Sequence, residues 1–390
     1  MIKPALTDRM PPLAGLLVVS LEQAIAAPFL TRQLADLGAR VIKIERPDGG
    51  DIARAYDQRA RGMSSHFVWV NRGKESVTLD LKQIKDVNVV KALTLRADVF
   101  VQNLAPGATE RMGLGAAELM AANPRLIVCD ISGYGNSGPY RDRKAYDLMI
   151  QAESGFLSVT GTADEPAKAG ASIADIAAAT TGYSSVLAAL LQRAKTGRGS
   201  HIDVSMLEAL TEWMSYPLYY SMDGATPPER TGAAHATIYP YGPFKVAGGS
   251  TVMLGIQNER EWAAFCEVVM GDAALAKDVR FASNALRHQH RSALGDIILQ
   301  RFAQLTDAEV IELLERANIA HAKVNTLHGV WQHPQLAARQ RWQNVDTPAG
   351  PLPSLKSAGI NSTFDHACAR VPAMGEHTAA VLKEFGLETR

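Results

Sequence analysis

The chain has 390 residues, of which 40 are basic and 40 acidic, so its formal net charge is zero. This balance argues against a nucleic-acid-binding protein and against a polybasic membrane binder. Three widely separated cysteines without a Cys-x-x-Cys pair indicate neither a disulfide framework nor a thiolate metal site.

The first third of the chain predicts alternating strands and helices. A buried strand at 16–21, a helix at 28–38 and a second buried strand at 39–44 imply a parallel sheet. Further buried strands are predicted at 97–102 and 125–131, with helices at 87–96 and 116–123. The fold class is therefore α/β, with a doubly wound parallel sheet whose ligands bind beyond the carboxyl ends of the strands.

The rest of the chain predicts one more strand of this sheet and then a smaller domain. A helix over 176–192 ends at a basic, glycine-rich stop at 195–199 and is followed by a strand at 201–205. Residues 206–220 predict an apolar helix, and residues 223–232 a linker rich in Pro and Gly. The later elements are a hairpin at 244–254 and helices at 262–270, 292–317 and 378–385.

Asp175 is the one acidic residue within thirteen small or apolar positions, 170–182. It lies near the predicted start of a helix, where free N–H groups and the helix dipole favour an anion. Two interpretations stay open at this point: Asp175 is only an N-cap, or it is a reactive carboxylate held ionised by the helix start.

Several common sites are missing from the sequence. No Gly-x-Gly-x-x-Gly follows the first strand, no Walker loop is present, and no histidine spacing suits zinc, so no metal is expected. The first twelve residues lack the apolar core of a signal peptide, and the apolar runs are too short to span a bilayer. We therefore expect a cytoplasmic enzyme with no nucleic-acid or membrane partner.

Polar residues follow several predicted strands at the same edge of the sheet. Arg46 and Asn103 come directly after strands, and Arg111 and Lys144 lie in nearby connections. Each cation taken singly could be a solvated surface charge. Their shared placement favours an anionic ligand that carries phosphates.

A set of motifs in a fixed order resembles the family III CoA-transferases, the group that contains formyl-CoA transferase and carnitine CoA-transferase. The resemblance covers almost the whole chain. The matching stretches are 38–46 (GARVIKIER), 71–82 (NRGKESVTLDLK), 103–113 (NLAPGATERMG), 145–155 (AYDLMIQAESG), 170–182, 195–200 (KTGRGS) and 375–378 (GEHT).

The resemblance implies a catalytic role for Asp175 and a set of CoA contacts. CoA or an acyl-CoA is then a substrate, with no tightly bound cofactor. The CoA-binding positions that it implies are Ile25, Ala26, Arg46, Leu79, Lys82, Asn103, Arg111, Lys144, Tyr146 and Asp147.

The resemblance also implies an architecture. It gives a Rossmann-like large domain built from both chain ends, a smaller α+β domain, and two protomers interlocked as a homodimer. The corresponding bounds are 1–222 for the first part of the large CoA-binding domain, 223–328 for the linker and small domain, and 329–390 for a C-terminal segment that returns to the large domain.

The sequence favours acyl transfer over racemisation. Related α-methylacyl-CoA racemases have a His-Asp pair where this chain has Tyr146-Asp147, and Tyr is a poor acid/base at neutral pH because its ordinary pKa is about 10. A racemase or epimerase on the same fold and a non-catalytic CoA-binding protein remain the alternatives.

The resemblance is strongest to members that act on short C4–C5 dicarboxylates, such as itaconate, mesaconate or citramalate, with succinyl-CoA as donor. Four residues of the middle region could bind the distal carboxylate of such an acid, or could be packing or interface residues instead. These are Arg230, His235, Tyr239 and Tyr241.

Overall fold

The computed structural model describes residues 9–387, and the chain divides into two compact units. The larger unit contains the residues up to 155, residues 169–215 and the residues from 335 onward. The smaller unit contains residues 156–168 and 216–334.

The strands are, in chain order, β1 (Leu17–Leu21), β2 (Arg40–Glu45), β3 (Lys74–Thr78), β4 (Val99–Gln102), β5 (Ile127–Ser132), β6 (His201–Ser205), β7 (Tyr241–Lys245), β8 (Thr251–Gly255), β9 (Ala320–Lys323), β10 (Trp342–Val345) and β11 (Leu352–Leu355).

The α-helices are, in chain order, α1 (Ala26–Asp36), α2 (Ser65–Val70), α3 (Ile84–Thr94), α4 (Ala108–Arg111), α5 (Ala116–Ala122), α6 (Asp147–Glu153), α7 (Phe156–Val159), α8 (Ile173–Thr196), α9 (Met206–Trp213), α10 (Ser215–Tyr220), α11 (Glu259–Ala264), α12 (Asn284–Gln289), α13 (Arg291–Phe302), α14 (Asp307–Arg316), α15 (Leu327–Trp331), α16 (Pro334–Ala338) and α17 (Thr378–Glu384).

A six-stranded parallel sheet forms the centre of the larger unit, which confirms the predicted α/β class. Its strand order is β3-β2-β1-β4-β5-β6, and Val18 of β1 pairs with Val41 on one side and Val99 on the other. The order reverses between β1 and β4, so the connections that follow these two strands diverge and leave a crevice at the carboxyl edge of the sheet. That crevice is where a ligand is expected.

Helix α8 is the longest helix of the larger unit and packs against α1, α9, β5 and β6. Gly182 permits the close approach to α1, because a Cβ at this position would lie 2.5 Å from Leu30 Cδ1. By length and composition α8 could cross a membrane. The expectation that every apolar run is too short was wrong, because Thr, Ser and Gly interrupt the apolar residues without adding charge.

The C-terminal residues lie against the edge strand β3. Thr378 Oγ1 accepts a hydrogen bond from Thr78 N at 2.9 Å, and Val381 of α17 belongs to the apolar core formed by the sheet and its helices. The two-stranded antiparallel hairpin β10–β11 also belongs to this unit. Residues from both ends of the described chain therefore build the larger unit.

The smaller unit has a three-stranded antiparallel sheet, β7-β8-β9, packed on helices. The predicted hairpin is confirmed, with Gly248 and Gly249 at its turn in the left-handed region, at φ of 78° and 85°. Residues 156–168, which the sequence interpretation kept with the large domain, lie here instead, because Arg230 Nε donates to Thr162 O at 2.8 Å.

Three predicted helices end earlier or are broken. Residues 206–220 form α9 and α10 rather than one helix, because Pro217 has no N–H to continue the hydrogen-bond ladder. Residues 292–317 form α13 and α14, since Thr306 and Glu309 make a capping box that starts a new helix. The helix predicted at 262–270 changes to π-helical geometry at Phe265–Met270.

Candidate active site

A cavity of about 500 Å³ lies in the larger unit at the carboxyl edge of the parallel sheet. Its walls come from the connection after β1, the connection after β4, the end of β5, the segment before α6 and the start of α8. This is the position that the reversal of strand order predicts for a ligand.

Two of these connections are locked to each other by one side chain. Asn103 Oδ1 accepts from Gln23 N at 2.8 Å, and Asn103 Nδ2 donates to Gln23 O at 2.9 Å. The amide of Asn103 is therefore engaged with protein backbone, although the residue lines the cavity. It fixes the gap between the connections after β1 and β4.

Asp175 lines this cavity as the third residue of α8. The helix has Ser172 at its N-cap position, without a side-chain capping bond, so the interpretation of Asp175 as the N-cap was wrong. Asp147 does the capping from outside the helix: its Oδ1 accepts from Ala174 N at 2.8 Å and lies 3.5 Å from Asp175 N. The Asp175 carboxylate is consequently not used as a cap.

The pKa of Asp175 is raised from 3.8 to about 7, first by burial and then by the neighbouring negative charge of Asp147. Burial therefore acts against the ionised form that the sequence interpretation expected at the helix start. A carboxyl group in a cavity with such a pKa is a candidate reactive group.

A short aromatic wall stands beside Asp175. Tyr56 and His66 both line the cavity, and their rings meet edge to face with centroids 5.4 Å apart. Burial raises the pKa of Tyr56, and the carboxylates of Asp51 and Asp175 contribute in the same direction. His66 Nδ1 lies 3.2 Å from Asp57 Oδ2. The sequence interpretation missed both ring residues.

A buried network of charged side chains supports the connection after β1. Lys43 Nζ lies 2.5 Å from Asp51 Oδ2 and 3.3 Å from Glu22 Oε1, and Lys74 Nζ lies 2.6 Å from Glu22 Oε1. Asp51 Oδ1 in turn accepts from Ala24 N at 3.0 Å, and Ala24 has a φ of 62°, in the left-handed region. The network therefore holds a strained turn next to the cavity.

Two N–H groups at the start of α1 are not used by other groups of the described chain. The sequence interpretation proposed donors from residues 22–27, but Gln23 N and Ala24 N are bonded to side chains. The N–H groups of Ala26 and Ala27, in the first turn of α1, have no hydrogen-bond partner among residues 9–387.

A second cavity of about 230 Å³ adjoins the first, because Gln23 and Leu104 line both. Arg46 and Lys82 line this second cavity, close to the carboxyl ends of β2 and β3. One Arg46 donor, Nε, is bonded to Gly50 O at 2.9 Å. Arg46 and Lys82 thus line a cavity that neighbours the one lined by Asp175.

The predicted site residues divide into three groups by position. Asp175 shares the larger cavity with six of them: Ile25, Ala26, Asn103, Lys144, Tyr146 and Asp147. Arg46 and Lys82 lie in the adjoining cavity. Two belong to neither set of lining residues within the described chain: Leu79 is buried, and Arg111 is exposed, with Nη1 3.5 Å from Pro106 O.

The four residues proposed for a distal carboxylate have local partners inside the smaller unit. His235 stacks on Tyr241 with ring centroids 5.2 Å apart and accepts from Ile238 N, while Arg230 donates to Thr162 O and Ala163 O. Tyr239 is buried in the apolar core. These contacts favour the packing interpretation that the sequence left open.

No group of three His, Cys, Asp or Glu side chains within residues 9–387 is arranged to hold a metal ion. The ionisable side chains that line the larger cavity are two carboxyl groups, two phenols, an imidazole and two cations.

The chain is similar to known proteins over almost its whole length. The model of CoA-transferase family III matches residues 13–378. A mouse (Mus musculus) protein named succinyl-CoA:glutarate CoA-transferase is 34% identical over 381 residues, covering 97% of this chain and 87% of the relative. A Haloarcula hispanica protein named succinyl-CoA:mesaconate CoA-transferase is 32% identical over 394 residues, covering 97% of both.

A solved structure has the same fold. The crystal structure of a CAIB/BAIF family protein from Brucella suis superposes with a TM-score of 0.84 at 33% sequence identity. The match covers 96% of this chain and 99% of the other.

Proposed function

Because the chain belongs to CoA-transferase family III and is a CoA-transferase, we propose that it moves CoA from succinyl-CoA to a C4–C5 dicarboxylic acid through a covalent intermediate on Asp175. Suitable acceptors are glutarate, itaconate, mesaconate and citramalate. The observation that carries the mechanism is the Asp175 carboxyl group itself, which lines the cavity and has a pKa of about 7. Half of it is then ionised near neutral pH and able to attack.

The first half of the reaction loads CoA onto the protein. Asp175 Oδ attacks the thioester carbonyl of the donor, the C–S bond breaks, and CoA leaves as the thiolate, which gives an aspartyl–acyl anhydride. The thiolate then attacks Cγ of Asp175, the anhydride C–O bond breaks, and the donor acid leaves as a carboxylate. An aspartyl-CoA thioester remains.

The second half runs the same steps in reverse order with the acceptor. The acceptor carboxylate attacks Cγ of Asp175 and expels CoA thiolate, and the thiolate attacks the new acyl carbonyl. The products are the acceptor acyl-CoA and the free Asp175 carboxylate. Every step exchanges an oxygen and a sulfur nucleophile at a carbonyl, so the cycle needs no net proton transfer.

Each step develops an oxyanion that needs a donor. The free N–H groups of Ala26 and Ala27 at the start of α1 are the candidates, since Ile25 and Ala26 line the cavity that Asp175 lines. Loss of one such donor typically costs roughly 10²–10³-fold in rate. The small residues beside Asp175 leave room for both an acyl group and a thioester.

The adjoining cavity suits the phosphate-bearing end of CoA. Arg46 and Lys82 supply two cations there, and Gln23 and Leu104 connect this cavity to the one that holds Asp175. CoA bound along this path has its phosphates near Arg46 and its sulfur near Asp175.

We also propose that the protein is an interlocked homodimer, as the sequence resemblance implies. The smaller unit exposes a row of apolar side chains around α10, with Tyr219 at 76%, Met222 at 57% and Leu218 at 52% exposure. Such a patch is typical of a protein interface. Light scattering that gives the mass of one protomer at micromolar concentration would refute this assembly.

The nucleophile is tested by Asp175→Ala, with exposed Asp164→Ala as the control. We expect the Asp175 variant to fold and to bind CoA but to lose transfer from succinyl-CoA by at least about 10⁴-fold. Trapping with hydroxylamine or borohydride during turnover should modify the Asp175 peptide, as seen by mass spectrometry. Substantial residual transfer, or an unmodified peptide under turnover, contradicts the covalent route.

A further inference from the structure

His66 is a cavity-lining side chain that the mechanism above does not use. We propose that His66, braced by Asp57, binds the distal carboxylate of the dicarboxylic acid and so selects diacids over monoacids. This inference rests on the proposed function and names the group that recognises its substrate class.

Asp57 is built as an acceptor that orients the imidazole. Its carboxylate oxygens accept from Arg59 N at 2.9 Å, from Ser65 N at 3.0 Å and from Ser65 Oγ at 2.8 Å, in addition to the contact with His66. These hydrogen bonds, with those from backbone N–H groups foremost, hold the pKa of Asp57 well below its usual range. An ionised carboxylate can only accept, so Nδ1 of His66 carries the proton toward it.

This arrangement leaves Nε2 of His66 for the cavity. Within the described chain Nε2 has no hydrogen-bond partner, while the imidazole as a whole lines the cavity. A ring that carries a second proton, on Nε2, donates from that nitrogen to an anion in the cavity while Nδ1–H stays bonded to Asp57. The pair therefore presents Nε2 of an oriented imidazole in the cavity that Asp175 also lines.

His66 and Asp175 line the same cavity and have Tyr56 as a common neighbour. Tyr56 neighbours both groups: its ring meets that of His66 at 5.4 Å, and the charge of Asp175 acts on its phenol. One carboxylate of a four- or five-carbon acid can thus react at Asp175 while the other lies beyond Tyr56, against His66.

The Arg and Lys side chains that line this cavity are less suited to the task. Arg143 stacks on the ring of Tyr140 at 3.6 Å and has Glu153 at 3.9 Å. Lys144 is exposed and is a predicted CoA contact. A proton-transfer role for His66 is not needed either, because the transfer cycle moves no net proton.

The test is a competition between glutarate and pentanoate, which differ only in the distal carboxylate. Both acids react with the same aspartyl-CoA intermediate formed from succinyl-CoA. The ratio of glutaryl-CoA to pentanoyl-CoA, measured by mass spectrometry, therefore reports the acceptor step alone and is independent of how fast the donor reacts. The enzymes compared are the wild type, His66→Gln and His66→Arg.

We expect His66→Gln to lower the ratio by about 10- to 100-fold, the usual effect of losing a hydrogen bond to a charged group. His66→Arg supplies a charged donor at the same position and should keep a higher ratio than Gln. The matched control is His201→Gln, since His201 also pairs with an aspartate, Asp130, at 2.7 Å in the larger unit but lines neither cavity. Its ratio should equal that of the wild type.

Three results overturn the proposal. The first is a ratio of glutaryl-CoA to pentanoyl-CoA in His66→Gln that lies within twofold of the wild-type ratio. Equal loss of both products counts as this result, and so does a failure to detect pentanoyl-CoA with either enzyme. The second is an equal ratio for Gln and Arg at position 66. The third is His66-dependent deuterium incorporation at the α-carbon of a 2-methylacyl-CoA without any acceptor, which would make His66 a racemase base. Failure of the proposed function is separate: the wild type would form no new acyl-CoA from any acid.

Discussion

Substitution of Asp175 by Asn should stabilise the protein while abolishing its activity. The pKa of Asp175 is about 7 in the folded protein against an ordinary 3.8, so the folded state binds this proton more tightly than the unfolded state. Proton binding by Asp175 therefore adds its full contribution to the free energy of unfolding below pH 4. This contribution is lost as the pH rises to 7. The two pKa values correspond to a cost of roughly 4 kcal/mol above pH 7, which partial solvent access reduces to about 2–4 kcal/mol.

Asn removes this cost because it does not ionise. The Asp175→Asn variant and the wild type should have similar stability near pH 4, and the variant should gain progressively up to pH 7 and hold its advantage above it. At pH 8 the gain corresponds to an increase in Tm of roughly 2–5 °C for a chain of this length. Thermal and urea unfolding at several pH values measure it, with exposed Asp164→Asn as the control. A variant that is no more stable than the wild type at pH 8, or a difference that does not change with pH, would refute the reasoning.

Four other substitutions have defined outcomes. The kcat/KM for succinyl-CoA should rise with a midpoint near pH 7, because the ionised form of Asp175 attacks. Asp147→Asn removes a neighbouring negative charge and should move this midpoint to lower pH. An unmoved midpoint would exclude the electrostatic coupling between the two residues. Lys43→Met should lower the free energy of unfolding by about 3–5 kcal/mol in urea titrations, since it leaves buried carboxylates unpaired, and a loss below 1 kcal/mol would contradict the buried network. Arg46→Ala and Lys82→Ala should each raise the KM for succinyl-CoA about tenfold with little change in kcat, and unchanged KM values would remove the adjoining cavity from the CoA path.

The apolar strands were predictable because a short run of apolar residues is typical of a buried strand. The strands predicted at 16–21 and 39–44 correspond to Leu17–Leu21 and Arg40–Glu45, which are covered on both faces. Strand β3 (Lys74–Thr78, KESVT) was missed, since its polar side chains suggest a surface segment. Lys74 and Ser76 are in fact buried because they bond to Glu22 and Glu45, and only the folded structure supplies those partners.

The reactive carboxylate could be located from its setting, but its electrostatics could not. Asp175 stands out as the single charge in an apolar segment. Its raised pKa depends first on burial and then on Asp147, which is 28 positions away in sequence. His66 gave no signal at all, because a histidine between Ser65 and Phe67 is unremarkable until Asp57 and the cavity are seen beside it. The sequence shows which residues have reactive side chains. Tertiary contacts determine their burial, their charged neighbours and their hydrogen-bond partners.

The reacting carboxylate and the side chains proposed to recognise the acid come from different segments of the chain. Asp175 stands on α8, the long helix locked against the sheet and α1, whereas Tyr56 and His66 come from residues 52–66, outside the strands of the sheet. The position of the Asp175 carboxylate can therefore be kept while the amino acids at residues 52–66 change. For enzyme engineering, a combinatorial library confined to residues 52–66 is the economical way to broaden the range of acids accepted, because it leaves the helix that carries the reacting group untouched.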